Sequence, residues 1–316
     1  MVAMREVFGK ALLELGSINE NVVVMDADLG SSTKTTYFAQ KFPDRFFQVG
    51  IAEQNMVGIA AGLASCGKIP FATTFAVFLT KRAADQVSIS VAYPRFNVKL
   101  IGAYTGLFNG ATGASHMAVE DMAIMRAIPG IVVIDPADAE EMKQAVKEIS
   151  EYKGPVYLRE TRDEWPDIFN ADYKFSIGKS SVVLDGEDVT IIACGVMTSE
   201  SIKAAEILKK SKINARVINM STIKPIDTDM IIECASKTGA IVVAENHNIY
   251  GGLGSAVAEV LAENIPTPML RIGIRDILGE TGRNHELLEK YEMSAEYIVG
   301  AAKRVINNNK NLDSIY

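Results

Sequence analysis

A single carboxylate, Glu53, stands in an otherwise small and neutral stretch at residues 50–58 (GIAEQNMVG), just ahead of an apolar segment. Such a carboxylate is expected to be buried, and a buried carboxylate without a partner is unstable unless it binds a proton. Either protonation state suits proton transfer. The alternative is a structural role, because a glutamate in the first turn of a helix stabilises the helix dipole. The spacing by itself favours the structural role.

Two other segments contain side chains that could line a binding site. Phe75 and Phe78 lie three residues apart after a predicted strand, so both rings could face a flat ligand, although aromatic residues at this spacing are more often part of a core. Residues 102–116 are too rich in glycine for a regular element and suit a loop that folds closely around a ligand. His116 ends this loop, which makes it a better functional candidate than an isolated histidine.

Three residues, Arg5, Ser32 and Arg162, could contribute to an anion site. Each one taken alone is better explained as a surface group. Neither GxGxxG nor GxxxxGK(S/T) occurs, so the sequence supports neither a dinucleotide site nor a nucleotide P-loop. No cysteines or histidines have the spacing of a zinc site, and we predict no metal site within this chain.

The composition and the net charge restrict the class of protein. A chain of 316 residues has room for about two domains, and its 48% apolar content is typical of a soluble globular protein. The net charge of -7 argues against nucleic acid or an anionic membrane as the main partner. Neither a signal peptide nor an apolar run of about 20 residues is present, so we predict a cytoplasmic protein. The cysteines lie in apolar stretches and are expected to be buried: Cys66, Cys194 and Cys234.

Helix-like and strand-like segments alternate along the chain, and these elements must position the candidate residues. Apolar runs at 22–25 and 98–103 predict buried strands, whereas the spacing at 5–15, 54–66 and 81–93 predicts helices. Alternation of this kind is typical of a mostly parallel sheet with helices on both faces. In such domains ligands bind beyond the carboxyl ends of the strands. The loops of interest are therefore those after Met25, Thr74 and Ala103.

The alternation is interrupted once, at residues 160–180, which are polar and lack a clear periodicity. It resumes afterwards and continues almost to the end of the chain. We therefore predict an α/β protein of two doubly wound, three-layer α/β/α domains, residues 1–165 and residues 181–316, joined by a linker at 166–180.

Five runs, taken together and in this order, resemble the C-terminal half of transketolases. They are DADLGSS at 26–32, VGIAEQNM at 49–56, TFAVF at 74–78, GASHMAVED at 113–121 and AENH at 244–247. The resemblance covers nearly the whole chain. It is specific for the thiamine-diphosphate enzyme superfamily and somewhat less specific for transketolase within it. It implies a pyrimidine-binding domain at 1–165 and a transketolase C-terminal domain at 181–316.

The resemblance implies roles for the residues on the coenzyme side, with thiamine diphosphate as the coenzyme. Glu53 matches the glutamate that hydrogen-bonds the aminopyrimidine ring and promotes activation of the coenzyme. Phe78 matches the residue stacked on that ring, and Phe75 helps to form the same pocket. Asp28, within the matching run at 26–32, is predicted to bind the coenzyme as well. His116 matches the histidine that faces the reacting end of the donor, so Glu53 and His116 are the predicted catalytic residues.

On the substrate side the resemblance is partial. Arg5, Ser32 and Arg162 match positions that hold the substrate phosphate, a role that suits the planar fork of arginine. Tyr104 stands where transketolases usually have a histidine that contacts the substrate, and Thr112 replaces an aspartate that usually reads a donor hydroxyl. Because only the sugar-side residues differ, we expect ketol transfer with a phosphorylated or similarly anionic sugar outside the standard pentose phosphate pair.

Two further departures concern a missing segment and an additional residue. The family binds the coenzyme diphosphate and its metal through a Gly-Asp-Gly segment followed by asparagine, in a separate domain, and no Gly-Asp-Gly occurs here. The resemblance thus implies the C-terminal subunit of a split transketolase. A separate N-terminal subunit would supply the diphosphate and the Mg²⁺ (or Ca²⁺) site in an α2β2 assembly. Residues 79–82 (LTKR) also differ from the common pattern and are one residue longer than in single-chain forms.

Other functions stay open as alternatives. A 1-deoxyxylulose-5-phosphate synthase-like half would decarboxylate pyruvate, and the beta subunit of a 2-oxo acid dehydrogenase shares the two-domain layout and an Ile-Ala-Glu-Gln run. The runs at 26–32 and 113–116 favour transketolase over both. A non-catalytic assembly module with the same fold is the third alternative. The joint presence of Glu53, Phe78 and His116 argues against that module.

Overall fold

The computed structural model describes residues 2–313, apart from the side chains of residue 111 and residues 308–313. The helices are α1 (Met4–Ile18), α2 (Gly30–Thr33), α3 (Thr36–Lys41), α4 (Glu53–Ser65), α5 (Ala76–Arg82), α6 (Ala84–Gln86), α7 (Asp121–Ala127), α8 (Ala139–Glu151), α9 (Met197–Lys210), α10 (Thr228–Thr238), α11 (Leu253–Asn264), α12 (Asn284–Lys290) and α13 (Ala295–Asp313). The strands are β1 (Val22–Asp26), β2 (Phe46–Gln48), β3 (Ile69–Phe75), β4 (Lys99–Ala103), β5 (Val132–Ile134), β6 (Val156–Glu160), β7 (Ser181–Leu184), β8 (Val189–Ala193), β9 (Ala215–Asn219), β10 (Thr222–Lys224), β11 (Ile241–Asn248) and β12 (Met269–Ile274). Short 3-10 turns lie at Pro43–Arg45, Gly110–Thr112 and Ala114–His116, and a π-helix lies at Val87–Ala92.

The first sheet has seven strands in the order β10-β5-β6-β4-β3-β1-β2. Its neighbours are parallel except for β10, which pairs antiparallel with β5. Parallel neighbours need crossover connections, and helices on the two faces of the sheet provide them. The carboxyl ends of β3, β4 and β6 lie side by side, because Phe75, Ala103 and Glu160 are in register.

The second sheet has five strands in the order β12-β11-β8-β9-β7, with β7 antiparallel to β9. Strand β10 follows β9 in the sequence but pairs with the first sheet, where Thr222 lies opposite Ile134. The second unit therefore contributes an edge strand to the sheet of the first. Residues 161–180, between the two units, contain no helix or strand.

Both faces of the first sheet are covered because successive residues of a strand point to opposite sides. On one side, Val22 and Val24 pack in a cluster with Phe8 of α1 and Met142 of α8. On the other side, Met25 packs in a cluster with residues of α4. These five side chains are fully buried, and each stabilises the fold by about 1.5–3 kcal/mol. The predicted three-layer α/β arrangement is confirmed.

A buried polar cluster joins the two units. Nε and Nη1 of Arg159, in β6, donate to the carboxylates of Asp121 at 2.8 Å and Asp135 at 2.6 Å. Nη2 of Arg159 donates to the main-chain oxygen of Asn246 in the second unit at 3.0 Å. Oδ1 of Asn246 accepts from the N–H of Leu107 at 3.0 Å, which attaches the glycine-rich loop to the second unit. A buried arginine is tolerated only with partners of this kind.

Two local expectations are wrong. The helix predicted at 81–93 is interrupted, because α5 ends at Arg82 and the short α6 is followed by a π-helix. A π-helix is wider than an α-helix, so it changes which residues share a face and weakens the 3.6-residue pattern. Cys66 is exposed because it follows the last residue of α4, whereas Cys194 and Cys234 are buried as expected.

Candidate active site

The candidate site lies where β3, β4 and β6 end. Phe75 is the last residue of β3, and α5 begins at the next residue and carries Phe78 and Arg82. Tyr104 follows β4 directly, and Glu160 ends β6. Because the strands are parallel, these residues lie along one edge of the sheet, the expected place for a ligand.

Glu53 is the first residue of α4, and its side chain is only 4% exposed. Its Oε1 accepts a hydrogen bond from Nη1 of Arg82 at 2.9 Å. The carboxylate also lies in the first turn of α4, where it stabilises the helix dipole. The structural and the functional interpretation of Glu53 are therefore compatible. An open cleft of about 640 Å³ is lined by Ile51, Ala52, Glu53, Gln54, Asn55 and Arg82.

Three rings meet at this end of the site. The ring centroids of Phe75 and Phe78 are 5.9 Å apart. The imidazole of His116 contacts both rings edge-on, with centroid distances of 5.8 Å to Phe75 and 5.3 Å to Phe78. Edge-to-face contact is favourable because the positive edge of one ring meets the negative face of another. The structure thus brings His116 together with Phe75 and Phe78, which lie about 40 residues earlier in the chain.

The guanidinium of Arg82 connects the carboxylate to the rings. Its Cζ lies 4.2 Å from the centroid of Phe78, while its Nη1 bonds to Glu53. The guanidinium of Arg82 is a planar cation that donates to a carboxylate and stacks on an aromatic ring, and this cleft accommodates it. Glu53 and Phe78 are therefore placed so that one planar group can hydrogen-bond to the carboxylate and lie over the aromatic ring. The aminopyrimidine ring of thiamine diphosphate has these properties.

Tyr104 occupies the centre of the other end of the site. It is 3% exposed, and its ring stacks on Phe75 with the centroids 4.3 Å apart. Nη1 of Arg5 donates to the phenolic oxygen at 2.8 Å, and Cζ of Arg162 lies 5.1 Å from the centroid of the ring. Two arginines from distant parts of the sequence thus converge on one tyrosine. They create a positively charged, half-buried region that suits an anion.

Glu160 is fully buried beside this region, and neither of its carboxyl oxygens has a hydrogen-bond partner. Burial raises the pKa of Glu160 well above its usual range, and the positive charge of Arg5 offsets only part of this effect. Nε of Arg5 is likewise buried and unpaired. The hydroxyls of Thr73 and Thr74, near the end of β3, also lack partners. Glu160 and Nε of Arg5 are therefore buried polar groups without partners at this end of the site.

Asn109 shapes the glycine-rich loop between the two ends. Its Nδ2 donates to the main-chain oxygens of Tyr104 at 2.7 Å and His116 at 2.8 Å. Nη1 of Arg162 donates in turn to the main-chain oxygen of Asn109 at 3.1 Å. At Gly113 the backbone φ is +73°, a conformation that favours glycine. One amide side chain therefore positions residues from both ends of the site.

Three predicted residues lie at the margin. Asp28 is exposed, with a backbone φ of +66°. Ser32 is half-buried on α2, which packs against α1. Thr112 is half-buried, and its hydroxyl donates to the main-chain oxygen of Asn109 at 3.4 Å. Among the described residues, no hydrogen bond links these three side chains to Glu53 or to either arginine.

The loop that carries Asp28 and Ser32 is held by the buried carboxylate of Asp26. Its Oδ2 accepts hydrogen bonds from the hydroxyls of Thr33 and Thr35, each at 2.9 Å. Burial raises the pKa of Asp26, although these hydrogen bonds act in the opposite direction. Asp26 thus fixes the conformation of the loop at the end of β1.

Sequence reasoning missed Arg82 and Glu160. The unusual segment at 79–82 was a signal for Arg82, but sequence alone does not show that this side chain reaches Glu53. In the sequence, Glu160 begins the polar segment at 160–180, which lacks a clear periodicity. The alternation of side chains along β6 would place it on the same side as the core residue Leu158, where an acid is unexpected.

A buried carboxylate and aromatic rings at the strand ends of a doubly wound α/β unit are typical of a ligand-binding site. In the part of the chain that the structure describes, no group of three or more His, Cys, Asp or Glu residues could hold a metal ion. Among the same residues, no helix is both long and apolar enough to span a membrane.

Comparison with known proteins identifies the family. The family model for the transketolase pyrimidine binding domain matches residues 1–167, and that for the transketolase C-terminal domain matches residues 178–298. The chain is 47% identical over 97% of its length to a putative transketolase C-terminal section from Methanocaldococcus jannaschii, of which it covers 96%. It is 43% identical over 96% of its length to a 6-deoxy-6-sulfo-D-fructose transketolase subunit from Clostridium sp. (strain MSTE9), of which it covers 94%.

A solved structure described as a split gene transketolase, inactive beta4 tetramer, is also similar. It has a TM-score of 0.90 and 47% sequence identity, and the match covers 97% of this chain and 98% of that one. The chain belongs to the transketolase family, whose members are transferases. Membership implies the use of thiamine diphosphate. The predicted family is confirmed, while the roles of the individual site residues stay predictions.

Proposed function

We propose that this chain is the C-terminal subunit of a split transketolase, which transfers a two-carbon ketol unit from a ketose donor to an aldose acceptor. One observation carries the proposal: the planar guanidinium of Arg82 contacts both the buried carboxylate of Glu53 and the ring of Phe78. When bound, thiamine diphosphate supplies the nucleophilic carbon that breaks the carbon–carbon bond beside a ketose carbonyl.

The coenzyme end of the site is formed by Glu53, Phe75, Phe78 and His116, and each of these residues has a proposed role. Glu53 hydrogen-bonds the aminopyrimidine ring, and its burial makes this interaction stronger than it would be in water. Phe78 stacks on that ring, and Phe75 supports Phe78 from the strand end. His116, which is held edge-on against both rings, exchanges a proton with a hydroxyl of the sugar. Asp28 is proposed to contribute to coenzyme binding from the loop after β1.

At the substrate end, Arg5, Arg162 and Ser32 are proposed to bind the anionic group of the sugar. The convergence of both arginines on Tyr104 supports this assignment. A relative is named for a sulfonated sugar, and sulfonate and phosphate both present oxygen atoms that accept hydrogen bonds from a guanidinium. Tyr104 and Thr112 are proposed to determine which sugar is accepted.

A separate N-terminal subunit is proposed to bind the coenzyme diphosphate with its Mg²⁺ (or Ca²⁺) in an α2β2 assembly. Two relatives that this chain covers over more than nine-tenths of their length are named as a C-terminal section and as a subunit. A similar solved structure is described as an inactive beta4 tetramer of a split gene transketolase. The cleft beside Glu53 is open, so a second chain can close over it.

The domain boundaries and the location of the protein are also part of the proposal. We propose that residues 1–165 and 181–316 are the two domains, with the linker at 166–180. The absence of helix and strand at 161–180 supports this boundary, as does the gap between the two family matches. A cytoplasmic location stays a prediction.

Reconstitution with an N-terminal transketolase subunit that carries the Gly-Asp-Gly segment tests the proposal. Ketol transfer would be measured with 6-deoxy-6-sulfofructose, fructose 6-phosphate and xylulose 5-phosphate as donors, and pyruvate decarboxylation in parallel. We expect transfer that requires both chains and thiamine diphosphate. Full activity on xylulose 5-phosphate and ribose 5-phosphate would refute the prediction that the sugar lies outside the standard pentose phosphate pair. Decarboxylation of pyruvate without ketol transfer would refute the proposed reaction, and a complex that binds no thiamine diphosphate would indicate a non-catalytic module.

A further inference from the structure

Arg82 occupies the coenzyme cleft in a way that the family resemblance does not explain. It is the last residue of α5 and belongs to the segment 79–82 that departs from the family pattern. Its side chain is 50% exposed, whereas the Glu53 carboxylate to which it donates is 4% exposed. The guanidinium thus enters from the solvent side and contributes to the burial of the Glu53 carboxylate.

The guanidinium shares three features with an aminopyrimidine ring. Both groups are planar, both can share a hydrogen bond with the carboxyl group of Glu53, and both stack on an aromatic face. Nη1 of Arg82 donates to Oε1 of Glu53 at 2.9 Å, and Cζ of Arg82 lies 4.2 Å from the ring centroid of Phe78. A coenzyme ring at the same place needs the same carboxylate and the same ring. The two groups are therefore mutually exclusive in this position.

We propose that Arg82 fills the aminopyrimidine position in the free subunit and that coenzyme binding displaces it. This inference rests on the proposed function, because it assumes that Glu53 and Phe78 receive the coenzyme ring. Without coenzyme, the pairing with Arg82 compensates the charge of a carboxylate that would be costly to leave buried and unpaired. With coenzyme, the apparent affinity equals the intrinsic affinity multiplied by the fraction of molecules in which Arg82 has vacated the site.

The exposure of Arg82 indicates how strongly it competes. A half-exposed ion pair is a weak interaction, and a cation over one aromatic ring adds a similar amount. Together these contacts correspond to a change of about fivefold to tenfold in an equilibrium constant. The coenzyme can therefore displace Arg82, and its removal should produce a measurable gain in affinity.

The first test uses the chain alone and an aminopyrimidine probe, 4-amino-5-hydroxymethyl-2-methylpyrimidine. Binding would be measured by calorimetry and by ligand-observed NMR for the wild type, Arg82→Gln and Arg82→Lys. We expect Arg82→Gln to bind the probe about fivefold to tenfold more tightly. Arg82→Lys should lie between it and the wild type, because lysine retains the charge but not the planar group.

The matched control is Lys81→Gln, which removes one positive charge at the neighbouring exposed position. Lys81 pairs with Glu120 and not with Glu53. If the effect were one of general electrostatics, Lys81→Gln and Arg82→Gln would change the probe affinity equally. That result would refute the proposal that the coenzyme displaces Arg82. Circular dichroism melting of both variants would confirm that each is folded before its affinity is compared.

The second test uses the reconstituted two-chain complex with thiamine diphosphate and Mg²⁺, again with affinity as the measured quantity. If the wild-type complex binds the coenzyme and Arg82→Gln binds it more tightly, the displacement is supported. If the wild-type complex binds it but Arg82→Gln binds equally or more weakly, the displacement is refuted and the proposed function stands. If neither complex binds it, the proposed function fails, and the displacement fails with it.

Discussion

The two ends of the candidate site differ in exposure and in the origin of their residues. At the coenzyme end, Glu53 and Phe78 lie on neighbouring helices beside an open cleft, which the half-exposed Arg82 covers. At the substrate end, Tyr104 and Glu160 are buried among residues of the same chain. The coenzyme end is open to solvent, whereas the substrate end combines buried residues with half-buried arginines.

This difference indicates how the specificity of such a subunit can change. Under the proposed function, the coenzyme end needs the same carboxylate and rings for every sugar, because the coenzyme stays the same. The substrate end is formed by side chains that converge from α1, from the loop after β4 and from the segment after β6. Residues there can change with the sugar while the coenzyme chemistry is retained.

The largest effect is expected from Glu53→Gln at the coenzyme end. The amide keeps the shape of the side chain but cannot supply the negative charge, so kcat should fall by about 10²- to 10⁴-fold in the reconstituted complex. The KM for the sugar should change little. Steady-state kinetics would measure both constants, with the exposed Asp85→Asn as the control for loss of one acidic charge. A variant with normal kcat and a raised KM for the sugar would contradict the division of the site into a coenzyme end and a substrate end.

Arg162→Gln should have the next largest effect, at the substrate end. Loss of a charge-assisted hydrogen bond to the sugar anion costs about 1.5–3 kcal/mol, which corresponds to an increase in KM of roughly tenfold to a hundredfold. Affinity for thiamine diphosphate should stay unchanged, and calorimetry would measure it. Arg304→Gln, at an exposed position of α13, is the matched control. A loss of coenzyme affinity with normal KM would show that the two ends are not separate.

Tyr104→Phe tests the centre of the substrate end with a smaller change. The variant keeps the stacking on Phe75 but removes the oxygen that accepts from Arg5. Loss of one hydrogen bond of about 1 kcal/mol should raise the KM for the sugar roughly fivefold. Competition kinetics between two donors would show whether their order of preference also changes. Tyr297→Phe on α13 is the control. An unchanged KM and an unchanged preference would remove Tyr104 from the specificity assignment.

The smallest effect is expected for Glu160→Gln, measured as thermal stability against pH. The folded pKa of Glu160 lies above its ordinary value of 4.5, so the folded protein retains a proton that the unfolded chain releases. Glu160 therefore lowers the free energy of unfolding as the pH rises above 4.5 towards the folded pKa. A glutamine side chain cannot ionise, so the Glu160→Gln variant should be more stable than the wild type at pH 8. The two proteins should be nearly equal in stability at about pH 4.

The control for this measurement is Glu164→Gln, at an exposed position four residues further on. It should show no pH-dependent difference from the wild type. A constant difference between Glu160→Gln and the wild type across this pH range would show that Glu160 is ionised in the folded protein. The buried substrate end would then contain a charge, and its electrostatic contrast with the open coenzyme end would be smaller.

Local pattern predicted much of the fold. The apolar run at 22–25 predicted β1, and the spacing at 54–66 predicted α4 to within one residue at each end. These predictions succeed because burial imposes a period of two on strands and 3.6 on helices. The prediction at 81–93 was wrong where a π-helix changes that period. The antiparallel pairing of β10 with the first sheet depends on contacts between the two units and has no signal in the local pattern.

For the site, the sequence by itself determined the family and indicated Glu53, Phe78 and His116, because their types and order follow the family motifs. It could not determine which other side chains reach them. Only the tertiary structure placed Arg82 against Glu53 and left Glu160 without a hydrogen-bond partner beside Arg5. The physical reason is that residue type and spacing constrain local conformation, whereas burial and contact depend on segments far apart in the chain that meet only when it folds.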